Sequence, residues 1–310
     1  METRDRSIEA QRLFGISEVI GQRHLVTVTA GPRLEPIVLS SEHEPDRHTG
    51  VPWWATFSRK RAARPNRFRV HHQAAGGWAF VDIEEIDENF SHVAPLGDDR
   101  WLLVRGRADG NDDQNAHVHS ASGERLYAFH AGDGVQDVQS TFDGLVWISY
   151  FDEGVFGDTD LGSSGLVCLD DRGDCRFRFT DTVGEGVPGI ADCYALNVVS
   201  SREVWLDYYT DFPMVKLVDG KVAGCWSGIR VKGSPAFAVA GDQTLFAGGY
   251  GEKETLRLVR LGEQRAMKLV PVDSSGAPIR EFAVFGRGNR LFLHTEDAVH
   301  AIDVAAAPVV

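Results

Sequence analysis

Cysteine is scarce in this chain, four residues in 310, and no two of them stand at CxxC spacing. Cys168, Cys175, Cys193 and Cys225 therefore match neither a zinc ribbon nor a redox motif, and they read as reduced, partly buried thiols. A Cys168–Cys175 bridge across a hairpin is the one disulfide weighed, and a reducing compartment disfavours it. Positive charge is also short: 32 Lys and Arg against 45 Asp and Glu leave a formal net charge of −13. That balance excludes a nucleic-acid-binding face, whose phosphates demand cations, and suits cations or neutral polar ligands. No run approaches the ~20 apolar residues that a membrane-spanning helix requires, so no membrane role is expected. The opening Met-Glu-Thr-Arg-Asp-Arg lacks the apolar segment of a signal peptide, and the expected location is the cytoplasm. Neither GxGxxG after a strand nor GxxxxGK[ST] occurs, which removes the nucleotide-binding fingerprints.

What the chain does have is glycine, 33 residues, and seven tryptophans in a composition that is 43% hydrophobic. Those numbers suit many short strands joined by tight turns. The segment from Gly134 to Tyr150 reads as a strand, an Asp143-Gly144 turn and a second strand of alternating apolar residues. Gly165–Asp170, an Arg172-Gly173 turn and Cys175–Phe179 follow, making four strands in one sentence. The sentence recurs. Its second-strand anchor falls at Leu102, Trp147, Trp205, Phe246 and Phe292, at intervals of 45, 58, 41 and 46 residues. Intervals of ~40–50 residues mark propeller blades. The widest interval holds the insertion 151–164.

These repeats predict an all-β fold, a single β-propeller domain over residues 1–310 with about six four-stranded blades, seven being the alternative and a two-layer β-sandwich the competing architecture. The last copy, ending near Asp303, is one strand short, so N-terminal residues are expected to complete it and leave no open edge. Residues 1–14 carry Ile8, Leu13 and Phe14 and are read as a short helix. Residues 41–67 lack periodicity and hold Pro45, Pro52, Pro65 and the basic run Arg59-Lys60-Arg61; they are read as a long, solvated surface loop.

In a propeller, the start of each first strand, the end of each second strand and the loop that follows share one face. The residues expected there are His92, Gln136, Asp137, Asp192 and Tyr194 from strand entries. Tyr150, Asp152, Glu153, Tyr208, Tyr209, Asp211 and Tyr250 come from strand exits and loops, and Glu281 from the last blade. Asn197 lies further along the same strand as Asp192. Polar residues on strands that should be core call for partners, water or a ligand, because an unpaired buried polar group costs about 1–3 kcal/mol. Inward Asp, Tyr and His that simply tie neighbouring blades together are the structural alternative for each residue taken singly.

Units such as Gln136–Tyr150 resemble those of NHL-repeat and gluconolactonase-like (senescence marker protein type) propellers. That resemblance implies a divalent cation, Ca or Mg, held in a channel mouth by carboxylate and amide oxygens, with Asp137, Asp192 and Asn197 (or Gln136) at the matching positions. The chain departs from the family in having no Glu-Gly-Pro segment near its N-terminus.

Two functions follow as expectations. One is small-molecule binding or hydrolase- or lyase-type activity on a carbohydrate- or lactone-like substrate. Asp137 and Asp192 would activate water or move a proton, His92 would serve as acid or base, and the tyrosines would stack on the substrate. The other is a non-enzymatic scaffold whose Tyr/Asp-rich face engages a protein partner.

Overall fold

Each repeat turns back where glycine can take a positive φ. At Thr141–Leu145 the Leu145 carbonyl accepts from the Thr141 N–H at 2.8 Å while Gly144 sits at φ 87°. The turn closes two strands whose apolar residues alternate, and each such pair buries one face against a neighbouring sheet. The computed structural model describes residues 6–45, 61–84, 86–97, 99–182, 184, 186–263 and 265–307.

In chain order, the N-terminus supplies β1 (Arg6–Glu9), β2 (Gln11–Gly15) and the short α1 (Ile16–Ile20). The first blade is β3 (His24–Ala30), β4 (Pro36–Ser41), β6 (Phe68–Ala74) and β7 (Gly77–Asp82). Beside it, β5 (Arg61–Asn66) pairs with β8 (Ile86–Glu88) in a two-stranded ribbon. The second blade is β9 (His92–Leu96), β10 (Arg100–Val104), β11 (Ala116–Ser120) and β12 (Arg125–Phe129). The third is β13 (Val135–Ser140), β14 (Val146–Tyr150), β15 (Leu166–Leu169) and β16 (Cys175–Arg178), with α2 (Asp152–Val155) in its insertion and α3 (Phe179–Thr182) after it. The fourth is β17 (Asp192–Val198), β18 (Glu203–Tyr209), β19 (Met214–Val218) and β20 (Lys221–Trp226). The fifth is β21 (Phe237–Ala240), β22 (Gln243–Ala247), β23 (Leu256–Arg260) and β24 (Ala266–Val272), and the sixth is β25 (Ala283–Arg287), β26 (Arg290–His294) and β27 (Ala298–Asp303). The chain is a six-bladed β-propeller, and neither the seven-blade nor the sandwich alternative holds.

Two compact units share the blades. One comprises Val19–Glu185 and Gly189–Cys193. Its core includes Leu102, Val118, Val138, Ile148, Val167 and Leu169, all buried, with Trp147 packed on Phe177 at 5.2 Å. The other comprises Met1–Glu18, Gly186–Pro188 and Tyr194–Val310. There Trp205 stacks on Trp226 at 5.5 Å and shares a cluster with Phe237 and Phe246, while Leu245, Leu258, Leu291 and Leu293 fill a second cluster. Fully burying each such side chain stabilises the fold by about 1.5–3 kcal/mol.

The missing outer strand of the last blade comes from the N-terminus, as expected. β2 pairs antiparallel with β27, Gln11 opposite Ala301 and Gly15 opposite Ala298. β1 adds a parallel fifth strand to β24, with Ile8 buried. The helix expected over residues 1–14 is corrected accordingly. Arg6–Glu9 and Gln11–Gly15 are strands, because two open sheet edges override a weak local helical preference; the short helix lies at Ile16–Ile20 instead, and residues 1–5 lie outside the described residues. Within 41–67, the loop reading is corrected at β5, which finds a partner in β8, while residues 46–60 lie outside the described residues. Among the described residues no helix is long and apolar enough to cross a membrane.

Removing residues 1–15 exposes the β27 edge and uncovers the neighbours of Ile8 and Phe14. We expect a melting temperature lower by on the order of 10 °C and concentration-dependent self-association, read by thermal scans and light scattering. An unchanged melting curve would mean that β2 does not close the blade.

Candidate functional site

The insertion after β14 is where the third blade departs from a simple hairpin. Its backbone is packed too tightly for side chains: a Cβ on Gly154 would lie 2.4 Å from the Asp133 carbonyl oxygen. The Phe151 N–H donates to the Gly134 carbonyl at 3.0 Å. Arg107 grips the Asp133 carboxylate with two bonds of 3.0 Å and reaches Glu153 with its third nitrogen. α2 is thereby held in one place, and it presents Asp152 and Glu153 at the surface.

Asp152 acts on Asp192. The Asp192 carboxyl is half-buried at the entry to β17 and accepts no hydrogen bond among the described residues. Loss of water around it, with the Asp152 charge as a second cause, raises it to about 6.

His92 and Asp137 also meet, with a different outcome. The His92 ring shares Nδ1 with the Ser91 hydroxyl at 2.9 Å and Nε2 with the Gln136 carbonyl at 3.3 Å. Burial pushes the imidazole below its ordinary range despite the Asp137 charge. Asp137 accepts from the Val138 N–H at 2.8 Å and from the Gln139 amide at 2.9 Å. With both ring nitrogens engaged by structural partners, His92 does not fit the acid–base role expected of it.

Tyr150 and Tyr208 are corrected as ligand-stacking residues. Both rings are fully buried, the Tyr150 hydroxyl donating to the Ala131 carbonyl and the Tyr208 hydroxyl to the Pro188 carbonyl, each at 2.7 Å. They occupy matching places in Trp147-Ile-Ser-Tyr150 and Trp205-Leu-Asp-Tyr208, and each ties its blade to the segment leading into it. Replacing either by Phe should cost about 1 kcal/mol, the net worth of one buried hydrogen bond, as read by urea unfolding; no change would deny the tie.

Asn197 is likewise corrected as a metal ligand. Its amide nitrogen donates to the Phe237 carbonyl at 2.9 Å and the Gly288 carbonyl at 3.0 Å, and its oxygen accepts from the Gly288 N–H at 2.7 Å. An amide so committed to backbone does not fit an ion's ligand set. Among the described residues no group of three or more His, Cys, Asp or Glu side chains could hold a metal ion.

Tyr194, Tyr209 and Tyr250 converge around Phe212, a residue the sequence reading missed. Phe212 is buried and held at φ 52°, a conformation that a bulky residue seldom adopts. Asp211 is exposed in the same β18–β19 turn. Glu281, exposed at φ 49° before β25, makes no hydrogen bond among the described residues. Asp207, among the strand-exit residues that the sequence places on the same face, lies within β18. It is buried with Oδ2 unpartnered among the described residues, and desolvation raises its carboxyl well above the usual range. Its position matches Ser149 one blade earlier, a signal available from the repeat alone. The four cysteines are thiols; burial pushes Cys168 up to about 12, while Cys175 is exposed.

The sequence matches the YxzG family over residues 166–301, less than half of the chain. No curated protein matches it. Among solved structures the chain resembles U3-55K at 10% identity and a TM-score of 0.49, covering 97% of this chain and 100% of that one. It also resembles a gluconolactonase from Xanthomonas campestris at 11% identity and a TM-score of 0.44, covering 97% and 99%. YCF48 bound to a D1 peptide matches at 11% identity and a TM-score of 0.48, covering 98% and 100%. Similarities this distant say nothing of ligand or reaction.

Proposed function

We propose that the protein acts on a small polar molecule at the Asp192–Asp152 carboxyl pair, in hydrolase- or lyase-type chemistry on a carbohydrate- or lactone-like substrate. The observation that carries this reading is the half-buried Asp192 carboxyl, unbonded among the described residues and raised to about 6 beside a second carboxylate. A group titrating near the working pH both takes and returns a proton, which general acid–base catalysis requires. In lactone opening, Asp192 as carboxylate takes a proton from the attacking water. As carboxylic acid it returns that proton to the departing ring oxygen. The Asp152 charge, exposed on α2, adds to desolvation in raising Asp192.

A panel of sugar lactones and sugar-acid esters, assayed with wild type, Asp192→Asn and Asp152→Asn, tests this. Asp192→Asn should lose at least about a hundredfold in turnover, and Asp152→Asn should move the pH inflection below its wild-type position near 6. Equal turnover by wild type and Asp192→Asn rejects the assignment. A second reading, a protein-binding scaffold, draws on a separate observation: Tyr209 and Tyr250 are 45% and 62% exposed, and tyrosine is enriched where interfaces bind most strongly.

A further inference from the structure

Two exposed aromatic rings of this chain, Phe80 and Phe142, are covered by its own cations, while among the described residues no Lys or Arg lies over Phe156, which is 76% exposed. Arg69 lies 3.8 Å over the centre of the Phe80 ring, and Arg33 lies 4.4 Å over Phe142. Both rings are more than half exposed, at 55% and 56%. Tyr209 and Tyr250 have comparable exposure, yet among the described residues no Lys or Arg lies over either ring. Arg257 pairs with Glu252 at 2.8 Å, and Arg280 pairs with Glu254.

These two rings belong to a built cluster. Phe212 stands edge-to-face with Tyr194 at 5.2 Å and 79°, with Tyr250 at 5.8 Å and 86°, and with Tyr209 at 5.7 Å and 61°. Tyr194 and Tyr250 are 88° apart at 5.9 Å, with their hydroxyls hydrogen-bonded. Tyr250 is fixed further by the Lys232 carbonyl, which accepts its N–H at 2.9 Å, and by Gly233, where a Cβ would lie 2.5 Å from the ring. Edge-to-face packing sets the positive rim of one ring against the negative face of the next. The outward faces of Tyr209 and Tyr250 remain as electron-rich surface, with the Asp211 carboxylate in the same turn and a formal net charge of −13 behind them. Such faces attract a guanidinium, the group this chain itself places over Phe80 and Phe142.

We propose that the Tyr209–Phe212–Tyr250 cluster receives an arginine side chain of a protein partner. The inference deepens the scaffold reading and owes nothing to Asp192. Tyrosine and arginine are both enriched among the residues that dominate interface energetics, and Tyr209 at the end of β18 and Tyr250 in the turn after β22 are both exposed.

The test uses the full chain with the peptide acetyl-Gly-Arg-Gly-amide and its citrulline counterpart, which keeps the shape and loses the charge. Saturable shifts of the Tyr209 and Tyr250 ring resonances should appear with the arginine peptide and be about tenfold weaker with citrulline. Tyr209→Ala and Tyr250→Ala should each weaken binding severalfold, and Gly233→Ala, which displaces the Tyr250 ring, should do the same while leaving Tyr209 in place. Asp192→Asn should leave binding unchanged, so this inference and the enzymatic reading fail separately. Equal affinity for the citrulline peptide, wild-type binding by both tyrosine variants, or no saturable shift would each overturn it.

Discussion

Asn197→Leu is expected to lower unfolding stability by about 4 kcal/mol. Asn197 lies on β17 and is fully buried, and its amide answers the carbonyls of Phe237 and Gly288 and the N–H of Gly288. One side chain thus ties the fourth blade to the fifth and to the β25–β26 turn. Only an amide both donates and accepts at that spacing, and leucine of similar size does neither. Each buried backbone group left without a partner costs about 1–3 kcal/mol. The same device stands in the other unit, where Asn115 donates to the Arg105 and Gly132 carbonyls and accepts from the Ala131 N–H. Urea unfolding of Asn197→Leu should show the loss with and without a chelator. A loss below about 1 kcal/mol, or one seen only when divalent cation is present, would return Asn197 to the ligand role.

Asp207 sets the second large effect, on the dependence of stability on pH. Burial raises its carboxyl in the folded chain, and no charged neighbour opposes that rise. In the unfolded chain it titrates near the ordinary value, about 4. Between those two points the folded state holds a proton that the unfolded state has released. Stability from this group is therefore complete below pH ~4 and falls as pH climbs toward the folded value, by on the order of 1 kcal/mol per pH unit. Asp207→Asn cannot ionise and should remove that slope, making the variant the more stable of the two at pH 8. Parallel pH-stability curves for the two proteins would show that Asp207 is ionised in the fold.

The blades were legible because their evidence is local. Leu102, Trp147, Trp205, Phe246 and Phe292 recur at near-regular intervals, and all five are buried. The N-terminal strands were not legible, since Arg6–Glu9 buries only Ile8 and its conformation is decided by the β24 edge. Tyr150 and Tyr208 show the reverse failure. Their recurrence at one place in consecutive blades favours the structural tie, the alternative weighed for each residue, over a role in stacking on a ligand. Phe212 was hidden for a conformational reason: a positive φ at a bulky residue leaves no trace in composition, although Pro213 beside it marks a turn. Asp192 was found by its place at a strand entry. Burial is the larger cause of its raised value; the second, the Asp152 charge, sits on α2, which is held by the close approach of Gly154 to Asp133, a contact that spacing alone does not reveal.

The central claim is that the Asp192 carboxyl titrates near 6, raised by desolvation first and by the Asp152 charge second. Carboxyl-carbon NMR of selectively labelled aspartates, titrated in wild type and in Asp152→Asn, tests it directly. A wild-type midpoint near 6 that falls only partway in the variant, because desolvation is the larger cause, is the predicted result. A midpoint at the ordinary aspartate value of about 4 in both proteins would contradict it.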